Sequence, residues 1–219
     1  MSRSLTSAPR KTPSFLPAQK SSPAVGPARR EGVALLGSQV NLRSPDADAV
    51  AKSCERVCSQ LIHGLPPQTI PIDAEALLQD LDIVVRRMLL PGTIYGISYR
   101  CSDDTWLVCI ATNLPAHMER WTLAHELGHI LLHGHQGAHQ PGLCDERDWV
   151  REVEANTFAS LLLAPEDQVR QVCASAPADK WISAVAQVLG ISQSAAAWRL
   201  WELGLGELPS NSRSYRKLG

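Results

Sequence analysis

The stretch Thr122-Leu123-Ala124-His125-Glu126-Leu127-Gly128-His129-Ile130-Leu131-Leu132-His133 sets two histidines four residues apart, with a glutamate directly after the first, in a run that is otherwise apolar. It reads as one helix that starts after Asn113 and Pro115 and runs to about His133. Residues four apart share a helical face and lie about 6 Å apart along the axis, so the imidazoles of His125 and His129 can converge on one zinc ion. Glu126 projects beside that point, where it can hydrogen-bond a metal-held water and take its proton. Leu123, Ala124, Leu127, Ile130 and Leu131 make the rest of the helix apolar, which predicts burial. A core helix carrying hydrogen-bonded histidines is the plainer alternative.

A catalytic zinc needs a third protein ligand and one open position. Downstream candidates are His133, His135, Cys144, Glu152 and Glu154. His133 is two turns from His125, a rise of about 12 Å, too far to share a metal with it, and is expected to support or pack against the site. His135 falls where an extended H-E-x-x-H-x-x-G-x-x-H motif would place a third histidine. That motif's glycine position is Leu132 here, and the methionine turn it requires is missing, because Met1, Met88 and Met118 all precede the site. Cys144 has no supporting pattern. Glu152 and Glu154 sit on a helix expected from about Asp148 to Leu163, whose buried face is Ala155, Phe158, Ala159, Leu162 and Leu163. At about 100° per residue Glu152 lies somewhat nearer the middle of that face than Glu154, and a carboxylate there is costly unless it binds a metal.

Upstream, Val50, Cys54, Val57, Cys58 and Leu61 recur at helical spacing until Gly64, Pro66 and Pro67, and a short helix after Asp73 buries Leu77, Leu78 and Leu81. Ile83–Leu89, Thr93–Cys101 and Thr105–Thr112 are rich in branched and aromatic residues and separated by turn signals. They predict a three-stranded antiparallel meander. A loop from Gly134 to about Arg147 follows the histidine helix, and 166–205 reads as further short helices. Residues 1–45 are rich in Ser, Pro, Ala and Arg without an apolar period, which predicts a disordered basic tail; 206–219 predicts a second flexible tail. An organelle transit peptide is disfavoured for the first segment by Pro13, Pro17, Pro23 and Pro27, which would break its helix.

Charge is uneven: residues 1–45 carry a net +6 and the remainder about −7, so no general basic surface for nucleic acid is expected. Six scattered cysteines without a C-x-x-C pair, behind a start that lacks an apolar signal core, predict reduced thiols in a soluble cytoplasmic protein. No stretch approaches the roughly 18 apolar residues that span a membrane.

The string Arg120-Trp121-Thr122-Leu123-Ala124-His125-Glu126-Leu127-Gly128-His129, with His133 four residues on, resembles the signature of the ImmA/IrrE family of metallopeptidases. Glu152-Val153-Glu154-Ala155-Asn156-Thr157-Phe158-Ala159, followed by Leu161-Leu162-Leu163-Ala164-Pro165, is similar to that family's second motif, E-x-x-A-N-x-F-A with L-L-x-P. In that motif the first glutamate is the third zinc ligand, which corresponds to Glu152. The resemblance covers about Asp46 to Leu205. It implies an α+β, small zincin-like domain over 46–165 with a helical segment over 166–205. It also implies an intracellular zinc endopeptidase that cleaves helix-turn-helix transcriptional repressors, often in stress responses.

Ala184–Ser192 followed by Ala195–Leu203 resembles a helix-turn-helix with Gly190 at the turn. Its second helix offers Arg199 as the sole basic residue, which favours packing or repressor docking over direct DNA binding. The rival to proteolysis is a repressor- or DNA-binding regulator that keeps the zinc fold without turnover. Glu126 beside both histidines argues for turnover, because a purely structural zinc would close its fourth position with protein.

Overall fold

A computed structural model describes residues 47–63, 70–92, 94–134 and 146–207. The predicted tail over 1–45, most of the segment from 206 onward, His135 and Cys144 lie outside the described residues. The chain folds as α1 (Ala47–His63), α2 (Ala74–Asp80), β1 (Val84–Met88), β2 (Gly96–Arg100), β3 (Trp106–Ala111), α3 (Ala116–His133), α4 (Glu146–Leu163), α5 (Glu166–Ser175), a short 3-10 turn (Ala178–Lys180), α6 (Trp181–Leu189) and α7 (Gln193–Glu202). This is an α+β arrangement. No helix among the described residues is long and apolar enough to cross a membrane.

The sheet corrects the predicted meander. Its order is β1-β3-β2, with β1 parallel to β3 and β2 antiparallel to β3. The register pairs Val85 with Val108 and Ser98 with Val108, so β3 is hydrogen-bonded on both sides. Burial explains the choice: β3 contributes Val108, Cys109 and Ile110 to the interior, whereas β1 carries Arg86 and Arg87 and β2 ends in Tyr99 and Arg100. The most apolar strand takes the centre, and charged strands take the edges, where unpaired backbone meets water. Local alternation identifies strands but carries no information about which neighbour each one adopts.

α3 is buried on nearly every side from Thr122 to His133, as an all-round apolar helix must be. α4 packs along it, and a Cβ added at Gly128 would lie 3.1 Å from Ala155 Cα, so two small residues set the closest approach of these helices. That approach brings the polar residues of α4 within reach of the histidines of α3. The buried cluster continues through Val57, Leu77, Leu131, Phe158 and Leu162 to Val185, Leu189 and Leu200 on the last two helices. Gly190 ends α6 in the left-handed conformation at φ +62°, and its carbonyl accepts from Arg120 Nη1 of α3 at 2.5 Å. Arg199 is turned inward: its Nε donates to Ala164 O at 2.9 Å and its Nη1 pairs with Glu202. It is therefore committed to packing α7 onto the core.

Candidate metal centre

His125 and His129 project from successive turns of α3 with their Nε2 atoms 3.0 Å apart. Glu152, from α4, reaches both: its Oε2 lies 3.3 Å from His125 Nε2 and its Oε1 lies 3.3 Å from His129 Nε2. Ligand bonds of 2.0–2.1 Å in a tetrahedral site separate the ligand atoms by about 3.3 Å, close to the three spacings observed. The donor set, two imidazoles and one carboxylate, also suits a divalent transition metal and leaves a fourth position for water. His125, His129 and Glu152 thus form a group that can hold a metal ion.

Each histidine is oriented from behind. His125 Nδ1 lies 3.1 Å from Asn156 Oδ1, one turn beyond Glu152 on α4, so the amide oxygen accepts the Nδ1 proton and Nε2 keeps its lone pair. His129 Nδ1 lies 3.2 Å from His133 Nδ1, and His133 Nε2 lies 2.9 Å from Glu154 Oε2. Burial draws the His125 imidazole down, but the Glu152 hydrogen bond, the Glu126 and Glu152 charges and the Asn156 amide outweigh it, and its pKa is raised. For His129, burial wins, helped by the neighbouring His125, and the pKa is lowered despite Glu152. Burial pushes the Glu154 carboxyl up to about 7 against the pull of Arg151.

The structure reverses the burial expected of the two glutamates. Glu154 is the interior carboxylate, 1% exposed, and Glu152 keeps 39% of its side chain in solvent. Periodicity within α4 does not fix how α4 lies against α3, and that crossing carries Glu154 inward while Glu152 stays partly exposed beside the two histidines. Sequence periodicity also offers Asn156, one helical turn after Glu152, where a second side chain aimed at His125 falls.

Glu126 is 5% exposed and turns toward β2. A Cβ placed at Gly96 would lie 2.7 Å from Glu126 Oε1 and 2.5 Å from Thr122 Cγ2. The edge strand β2 therefore runs directly over the α3 face beside the metal group, and its outer side is unpaired among the described residues.

Fold and site define the class: a small α+β domain with a helix-borne histidine pair and a carboxylate that reaches both from the next helix, the build of a metallopeptidase-like protein. Residues 78–200 match the family described as the IrrE N-terminal-like domain, a peptidase family, and the chain belongs to it. Among solved structures it is similar to a Mycobacterium tuberculosis transcriptional regulator, with 18% identity and a TM-score of 0.48, over 84% of this chain and 54% of that one. The chain thus spans about half the length of that neighbour. No curated protein matches.

Proposed function

We propose that the protein is a cytoplasmic zinc endopeptidase that cleaves a helix-turn-helix transcriptional repressor, with His125, His129 and Glu152 as metal ligands and Glu126 as general base. The observation that carries this reading is the convergence of two Nε2 atoms and one carboxylate, spaced at 3.0 and 3.3 Å, beside a buried glutamate that is not part of the group. Zinc, when bound, supplies a Lewis acid for the scissile carbonyl and lowers the pKa of a coordinated water toward about 7.

Glu126 accepts the proton of the attacking water and returns it to the leaving amine. Its burial between α3 and β2 holds it against Gly96 and keeps bulk water from its far side. Asn156 orients His125. The unpaired edge of β2 aligns an extended substrate segment as an added strand, leaving its side chains to flanking pockets. The repressor as substrate rests on the family resemblance.

Co-expression with candidate helix-turn-helix repressors, followed by mass spectrometry of each repressor, tests the reading. Wild type should release a discrete clipped product. Glu126→Gln should keep its zinc and its partner binding while cleavage falls by a factor of about 10² to 10⁴. Equal binding with no cleavage by either protein would replace the peptidase with a repressor-binding regulator.

A further inference from the structure

We infer that His133 and Glu154 are positioning residues, a buried chain that sets the tautomer of His129 and so tunes the metal affinity of the site. The inference rests on the metal reading above and adds the control of one ligand to it. His125, His129 and His133 occupy three successive turns of α3, and α4 supplies one glutamate to the first two and another to the third. The three inner groups are among the most buried polar residues described: His129 at 4%, His133 at 3% and Glu154 at 1% exposure.

The contacts link the three protonation sites, so placing one proton places the others. When Glu154 is a carboxylate it only accepts, so across the 2.9 Å contact to its Oε2 the proton of His133 sits on Nε2. A neutral imidazole then presents a lone pair at Nδ1, which accepts from His129 Nδ1 at 3.2 Å. With its proton on Nδ1, His129 aims the Nε2 lone pair toward His125 Nε2 and Glu152. A metal ligand needs that tautomer, because the other one places a hydrogen where the ion would bind. Carboxylates and carbonyls that hold the far nitrogen of a ligating histidine fix its tautomer and raise its basicity.

Here the carboxylate acts through a second imidazole, which carries its influence one further turn into the core. Packing alone does not account for this arrangement. The other oxygen of Glu154, Oε1, is buried with no hydrogen-bond partner among the described residues, a cost that an apolar side chain of similar volume would avoid.

Zinc titration of the full chain at pH 8 against a competing chelator tests the chain of contacts, with His129 tautomers read by NMR of nitrogen-labelled protein. His133→Leu should raise the zinc Kd about 10- to 100-fold and leave His129 as a mixture of tautomers. His133→Asn, whose amide oxygen can stand near the Nδ1 position, should recover most of the affinity and the Nδ1-protonated form. Glu154→Gln, nearly isosteric, should raise Kd about 10-fold, because an amide can turn either its oxygen or its NH2 toward His133. Wild-type Kd and an unchanged His129 tautomer in His133→Leu and Glu154→Gln would overturn the inference and leave the metal reading standing. A wild-type chain without zinc affinity would overturn both. Should His133→Leu not fold, the wild-type tautomer and the Glu154→Gln titration decide the matter.

Discussion

Replacing Gly96 by alanine adds one methyl group at the closest approach of the sheet to the metal helix. The backbone of β2 accepts alanine, so the cost is steric: the new Cβ would meet Thr122 Cγ2 at 2.5 Å and Glu126 at 2.7 Å (Oε1) and 3.0 Å (Cγ). Ordinary carbon contacts lie at about 3.5–4.0 Å, so strand and helix must part by about 1 Å or Thr122 and Glu126 must leave their positions. Both are buried, at 7% and 5% exposure, and have little room to turn. Overpacking of this kind costs about 1–3 kcal/mol, and the reduced freedom of the unfolded chain returns about 0.4–1 kcal/mol. The net loss of about 1–2 kcal/mol corresponds to a fall in Tm of about 2–8 °C for a chain of this size. The effect on turnover should be larger, because a general base displaced by about 1 Å can cost a factor of about 10². Calorimetry, zinc titration and cleavage of the intact repressor on one preparation separate these effects: Tm slightly lower, zinc Kd unchanged, rate down about 10²-fold. Gly92→Ala is the control, since Gly92 has φ +60° with no atom within 4 Å of a Cβ; it should lower stability by about 1–2 kcal/mol with no change in rate. A Gly96→Ala protein with wild-type Tm and wild-type rate would refute the proximity of β2 to Glu126 and the role built on it.

His129→Ala should lose most of the bound metal, and Glu152→Gln should weaken metal binding well beyond Glu154→Gln; elemental analysis after dialysis checks both, and the reverse order of the glutamates would mean Glu154 is the ligand. Burial pushes the Cys58 thiol up to about 12, leaving about 10⁻⁴ of it as thiolate at pH 8, so a thiol reagent should modify Cys58 only after denaturant is added. The same shift is a linkage: the folded thiol holds its proton above its ordinary value of 9.0, so its contribution to stability is intact below pH 9 and lost as pH rises toward 12, which denaturant titrations at pH 8 and above should resolve. A chain starting at Ser44 should fold, bind zinc and cleave as the full chain does; loss of solubility or activity would show that residues 1–43 contribute to folding or substrate capture.

Local chemistry made much of the site legible. The four-residue spacing of His125 and His129, the placement of Glu126 between them and the apolar character of Leu123 to Leu132 are properties of one helix, and helical periodicity alone converts them into a buried face with two convergent imidazoles. The same periodicity gave α1 through Cys54, Val57, Cys58 and Leu61, all buried. Glu152 was found through its place in a motif, and the angular argument beside it named the less buried of the two glutamates.

What a single element cannot encode is which other element it meets. The strands were visible as three apolar runs, yet β3 lies between β1 and β2 because the strand with the most to bury takes the position with two hydrogen-bonded edges. The distinct duties of Glu152 and Glu154, two residues apart on one helix, arise from where α4 crosses α3. The Gly128–Ala155 contact sets that crossing, so Glu152 meets His125 and His129 while Glu154 is carried inward to His133. Sequence by itself determined the helix, its two facing histidines and the glutamate beside them, because those depend on contacts within a few residues. Only the tertiary structure decided the placement of Glu152 against both histidines, the contacts behind His129 and the passage of β2 over Glu126, because each depends on packing between segments distant in sequence.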